Sequence, residues 1–294
     1  MYKAIQKETN KEVVILDPVW VETDQLALLK SWGQDDLLVC QECKQPVRVR
    51  TGQLRAWHFA HKHRQNCSVG YESPQLLQAR ALLYRWLVGK FGPERVTLEK
   101  RLERPPDWEE LPRPVDCWVK GVNGQPDFAY WVFEAAMKPY SRDILRLSLF
   151  APGIIVAYWV FLTDMLRQNE GDTEAVILTT TEREFMGAST YDKMYPSGGH
   201  TLHYLDHTTG QLLTYRGLHL VHSPQIYQGK LLCHPMEEIL ISPRSGELSH
   251  PGEYDRLKTY EAEQERLKAE REKRRSAAPA VPPAPPKNGR PLPP

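Results

Sequence analysis

Pro114-Val115-Asp116-Cys117-Trp118-Val119-Lys120 leads through Gly121-Val122-Asn123-Gly124 to Phe128-Ala129-Tyr130-Trp131-Val132-Phe133-Glu134-Ala135. Two short runs rich in β-branched and aromatic residues flank a turn-forming segment, which reads as a pair of antiparallel strands. Upstream, Glu72-Ser73-Pro74 opens a stretch with apolar residues at Leu76, Leu77, Leu82, Leu83, Trp86 and Leu87. That spacing predicts one helical face from Pro74 to about Lys90, stopped near Gly92-Pro93. Val96 to Leu102 is expected as a further strand, Ser141 as the cap of a helix to about Phe150, and Ile154 to Leu162 as a buried strand. Val176 to Thr179 adds another strand, with a short helix from Thr181. The order of helix, antiparallel strands, helix and strand implies an α/β domain with a mixed sheet.

Four further regions surround this core. Residues 1–70 hold one or two strands, a short helix and a cysteine-rich module. The central domain spans 71–190, and short alternating runs over 191–250 (Thr201 to Leu205, Gln211 to Tyr215, Leu218 to Val221, Glu238 to Ile241) read as a β-rich extension. Residues 251–275 form a very polar helix with Glu263/Arg266, Glu265/Lys268 and Glu270/Arg274 at helical pairing distances. The Pro- and Ala-rich residues 276–294 have nothing to bury and are expected to be disordered.

The chain has 294 residues, enough for one large domain or two of about 150 residues. No stretch approaches the roughly 20 apolar residues needed to cross a bilayer, so no membrane span is expected. Met1 to Glu8 lacks the charged-then-apolar order of a signal peptide, and the expected location is the cytoplasm. The 38 basic and 37 acidic residues cancel, so total charge does not select a nucleic-acid partner. Between Cys40 and Gly70, however, Lys44, Arg48, Arg50, Arg55, Lys62 and Arg64 face one acid, Glu42. Arg48, Arg50, Arg55, Lys62 and Arg64 are candidate phosphate contacts; a solvated basic face is the alternative.

Three of the five cysteines lie within the same segment. Cys40-x2-Cys43 supplies two thiolates from one tight loop, and His61 with Cys67 can close a tetrahedral structural zinc site around the intervening hairpin. His58 rivals His61 as the fourth ligand. A redox pair would need a strand leading into a helix start, which Cys40 lacks. Cys117 and Cys233 stand apart and read as inert thiols.

Asp116 and Glu134 sit on neighbouring strands where carboxylates could hold Mg²⁺ or Mn²⁺ for phosphodiester cleavage, with Glu72 and Glu99 as further members. Together, Cys40-x2-Cys43, Gly52, His58-Phe59-Ala60-His61, Glu72-Ser73, Leu98-Glu99, Asp116, Phe133-Glu134, Ser141 and Arg146-x3-Phe150 resemble the CoiA-like competence proteins over about residues 35–165. That family is similar to PD-(D/E)xK nucleases preceded by a zinc module. The resemblance implies a restriction-endonuclease-like core, handling of single- or double-stranded DNA taken up in transformation, and recombination or uptake proteins as further partners.

One position departs from the family. Two residues after the motif glutamate its members usually carry Gln or Lys, and here stands Ala136. Because side chains alternate along a strand, Lys138 is expected on the same face as Glu134 and Ala136, from where its long side chain could replace the missing group. Two readings follow: a metal-dependent nuclease using Asp116, Glu134, Lys138, Glu72 and Glu99, or a degenerate site in a DNA-binding or adaptor protein.

Overall fold

Unbroken apolar strands are stable only when both faces are covered, and the central strands of this protein are of that kind. In the computed structural model, which describes residues 1–52, 56–63, 67, 72–102, 114–122, 125–138, 155–187, 199–223, 225–242 and 246–277, β7 (Val115–Val119) is buried throughout and β8 (Asp127–Phe133) nearly so. Phe128, Tyr130 and Val132 point into one core, shared with Leu76, Leu83 and Leu87; Ala129, Trp131 and Phe133 point into another, shared with Phe185 and Tyr204. The period of two is present, but apolar residues occupy both phases.

The chain begins with β1 (Lys3–Gln6) and β2 (Lys11–Val14), then α1 (Thr23–Gln34) and β3 (Leu38–Val39), giving a three-stranded sheet of order β2-β1-β3. A hairpin of β4 (Val47–Arg50) and β5 (His58–His61) follows. Next, α2 (Pro74–Phe91) starts at Ser73, whose hydroxyl accepts the Leu76 N–H, and ends at Gly92 with φ +86. Strand β6 (Val96–Lys100) pairs antiparallel with β7, and β7 with β8. Strand β9 (Ile155–Leu162) then runs parallel to β8, with Tyr130 on Tyr158, Trp131 on Trp159 and Phe133 on Phe161 in register. These rings stack at centroid distances of 5.1, 4.8 and 5.4 Å.

The remaining strands are β10 (Gln168–Asn169), β11 (Asp172–Ile177), β12 (His200–Leu205), β13 (Gln211–Ser223) and β14 (Ile226–Pro235), with α3 (Thr180–Phe185) after β11. They extend the same sheet, whose nine strands run β10-β11-β14-β13-β12-β9-β8-β7-β6. The β-rich region read at 191–250 therefore shares the central sheet, because β12 pairs parallel with β9. The runs at Gln211 and Leu218 belong to one long strand, and β14 was not anticipated. A small pair, β15 (Leu240–Ile241) and β16 (Leu248–Ser249), follows.

Residues 1–251 form one compact unit, and 252–294 a second. Helix α4 (Tyr254–Ala277) belongs to the second and carries Glu263–Arg266 and Glu270–Arg274 pairs at 3.8 and 2.9 Å. Among the described residues, no helix is long and apolar enough to cross a membrane. Arg55, Arg64, Ser141, Arg146, Phe150 and the tail from 278 lie outside the described residues.

Candidate metal centre and acidic cluster

The loop between β3 and β4 is built to present sulfur. Cys40 N–H donates to Gln45 O (2.9 Å), Lys44 N–H returns to Cys40 O (3.1 Å), and Lys44 adopts φ +57, which closes the turn. Glu42 N–H then points at Cys40 Sγ, 3.4 Å away. Across the hairpin, His61 pairs in register with Val47, and Gly33 of α1 lies so close to Val49 that an added Cβ would come within 3.0 Å of its methyl. The hairpin is thereby pressed onto the helix and its histidine held against the loop.

Cys40, Cys43, His61 and Cys67 converge, with all four ligand atoms within 4.8 Å of one another. Cys40 Sγ and Cys67 Sγ stand 3.8 Å apart, and Cys43 Sγ is 3.2 Å from His61 Nε2. Thiolates about 2.3 Å from one zinc at the tetrahedral angle are separated by about 3.75 Å, whereas a disulfide is about 2.05 Å long. The separations and the soft donor set fit a metal such as zinc. Burial pushes the Cys40 thiol up to about 12, so its thiolate needs a cation beside it. Burial also lowers His61, keeping the imidazole in the neutral form a metal requires. His58 is turned elsewhere: its Nδ1 lies 2.9 Å from Ala56 O.

Residues 22–70 match the family model of the competence protein CoiA N-terminal domain. The chain carries a CoiA N-terminal domain. The match supports a competence-related protein, and the matched segment contains all four cluster residues. No curated protein and no solved structure matches the chain.

Behind the CoiA domain lies the acidic cluster, and at its centre is a residue the sequence reading passed over. Arg80 of α2 is 3% exposed, with Nη1 donating to Glu72 Oε1, Nη2 to Glu99 Oε1 at 3.0 Å, and Nε 2.9 Å from Asp116 Oδ1. The last contact is a close ion pair without hydrogen-bond alignment, since Nε has no hydrogen-bond acceptor. Burial works against the charge, but Asp116, Glu72 and Glu99 outweigh it and hold Arg80 well above its ordinary value. The other Asp116 oxygen accepts the Val132 N–H at 2.7 Å, beyond the last ladder pair between β7 and β8, Cys117 with Tyr130. Glu99 adopts φ +46 within β6, a left-handed backbone that a non-glycine residue keeps only when its surroundings enforce it. Tyr2 supplies part of that enforcement: its N–H donates to Glu99 Oε1 (2.9 Å), its hydroxyl to Leu77 O, and its ring lies 5.6 Å below the Arg80 guanidinium.

The structure thus gathers Glu72, Glu99 and Asp116 on one guanidinium, and ties Glu134 to the same helix start through the Ser73 hydroxyl. Lys138 is not brought in. Strand β8 ends at Phe133, and the chain then bends so that Met137 N–H reaches Thr181 Oγ1 at 2.9 Å. The face shared by Glu134 and Lys138 needed a continuing strand; Lys138 instead lies exposed in coil.

Among the basic candidates, Arg48 and Arg50 are exposed on β4, while Lys62 is occupied by Asp36 and by Gln34 O (2.8 Å). Glu42, between the paired cysteines, receives Arg101 Nε at 2.5 Å. Cys117 is buried and its thiol pushed up by burial and by Asp116; Cys233 is exposed. Arg80 had left one trace in the sequence, as a charge on the apolar stripe of Leu76, Leu83 and Leu87. Tyr2 had left none.

Proposed function

We propose that this protein binds DNA without cutting it, using a zinc-stabilised CoiA-type domain and a core whose acidic centre is locked by arginine. The observation that carries the reading is Arg80. A catalytic Mg²⁺ is held by carboxylates whose charge is left for the metal and the scissile phosphate. Here the guanidinium stands among Glu72, Glu99 and Asp116, hydrogen-bonded to the first two and ion-paired with the third, and its charge offsets theirs. Ala136 offers no group to position water. Zinc is the metal best suited to three thiolates and an imidazole, and binding it would contribute about 10–16 kcal/mol to folding the small domain.

One observation favours a second reading, Mg²⁺- or Mn²⁺-dependent cleavage by the restriction-endonuclease-like core that the family resemblance implies. Glu99 is held at φ +46, and strained backbone clusters at active sites. A cleavage assay separates the two. Wild type, Asp116→Ala and Glu134→Ala are incubated with single- and double-stranded DNA and Mg²⁺ or Mn²⁺, alongside a binding measurement. Binding with no product in any sample supports the lock; metal-dependent product from wild type that disappears in both variants overturns it.

A further inference from the structure

The pocket beside the departing end of β8 has no role in the reading above. It encloses about 460 Å³ and is lined by Ala136, Met137, Arg167, Thr179, Thr180 and Gln225, among others. Its volume lies within the range of small-ligand sites. Its walls are fixed: Met137 N–H donates to Thr181 Oγ1 (2.9 Å), Leu178 N–H to Gln225 O (2.9 Å), and Ile177 N–H to Arg167 O (2.8 Å). Thr179 and Glu182 close a reciprocal cap on α3, so this wall is set before any ligand arrives.

Arg167 is the one charged residue of the lining. It is exposed, and no carboxylate among the described residues pairs with it. Arg183, outside the lining, donates from Nη2 to the Oγ1 of the lining residue Thr180 at 3.2 Å. Ala136, two residues after Glu134, forms part of the opposite wall, and its small side chain leaves the space open. The cation absent from position 136 is thus supplied to the same pocket from the loop between β9 and β10.

The geometry points to this pocket as the seat of one nucleotide of a DNA strand, its phosphate on Arg167. A guanidinium with threonine hydroxyls in the same pocket can hold a phosphodiester, positioning the strand without reading its bases. The assignment rests on the DNA-binding reading and adds where a strand passes.

The test uses the full-length, zinc-loaded protein, a labelled oligothymidylate of about twelve nucleotides, and thymidine 5′-monophosphate. The variants are Arg167→Gln, which removes the charge, and Ala136→Phe, which fills the pocket from an exposed coil position. Each should weaken the oligonucleotide about fivefold or more at low salt, and Arg167→Gln should reduce the salt slope by about 0.7, the value of one single-strand phosphate. Zinc content and melting temperature should stay as in wild type. Oligonucleotide affinity unchanged in both variants overturns the inference while leaving the DNA-binding reading intact. A monophosphate that binds as tightly as the oligonucleotide assigns the pocket to a free nucleotide and also overturns it. Failure of wild type to bind either ligand overturns both.

Discussion

A guanidinium is expensive to bury, and Arg80 is held in place because Glu99 of β6, Asp116 of β7 and Glu72 just before α2 meet it. Taking away one partner of a buried ion pair typically costs about 3–5 kcal/mol, since the remaining charges are stranded. Arg80→Met keeps the volume and removes the charge, so it should destabilise the protein by about that amount in urea titration. A loss below about 1 kcal/mol would show that the carboxylates do not depend on it. Glu72, Glu99 and Asp116 were legible in the sequence as candidates because acids beside apolar runs are noticeable. Their partner was not, because it looked like an ordinary helix arginine. The candidate metal ligands were more legible, since Cys-x2-Cys is a geometric device in itself. Between the two histidines only the fold decides: the β4–β5 register places His61 beside Cys43 and turns His58 to Ala56 O. Elemental analysis should therefore find about one zinc per chain in wild type and His58→Ala, with most of it lost in Cys43→Ser and His61→Ala. Retention of zinc in His61→Ala alongside its loss in His58→Ala would reverse the ligand assignment.

At the level of elements, periodicity located α2, β6, β7 and β9 to within one or two residues, since their apolar spacing decides them. It misjudged the end of β8. Phe133-Glu134-Ala135-Ala136 gives no local signal that the strand stops, yet the chain bends at Glu134 and Ala135, and Met137 N–H bonds to Thr181 rather than to a sheet neighbour. Lys138 lost its assigned strand face for that reason. The β4–β5 hairpin carries a comparable lesson for charge. Arg48 and Arg50 are exposed, but Lys62 already has Asp36 and a helix-end carbonyl. If the hairpin meets DNA, Arg48→Ala with Arg50→Ala should weaken binding and flatten its salt dependence, whereas Lys62→Ala should leave the slope as it was. Equal loss of slope in all three would place Lys62 among the phosphate contacts.

Over the whole molecule, one nine-stranded sheet joins what the sequence suggested were a domain and an extension. The parallel pairing of β12 with β9 is long-range and has no local signature. Along the added strands a chain of polar groups runs inward from half-buried His234: its Nδ1 lies 2.9 Å from His250 Nδ1, the Nε2 of buried His250 lies 2.7 Å from Thr214 Oγ1, and His203 Nδ1 lies 3.0 Å from the same hydroxyl. Burial, reinforced by Arg216, lowers His250 to about 3 and His203 well below its ordinary value. Both folded values lie below the unfolded value of about 6.5. Their contribution is thus complete above that pH and is lost as pH falls, because the unfolded chain takes up protons first. Well below pH 6.5 each histidine should reduce stability by about 1.4 kcal/mol per pH unit. Urea midpoints should accordingly drop between about pH 6.5 and 5, where most carboxylates remain ionised. His203→Gln should make that decline shallower; an unchanged decline would show that His203 is not buried neutral.

The central claim is that arginine, not a divalent metal, occupies the acidic centre. Manganese titration of the zinc-loaded full-length protein, followed by the paramagnetic resonance of free Mn²⁺, tests it most directly. The account predicts no stoichiometric uptake, with wild type and Asp116→Ala giving the same curve. One Mn²⁺ bound per wild-type chain, and lost in Asp116→Ala, would contradict it.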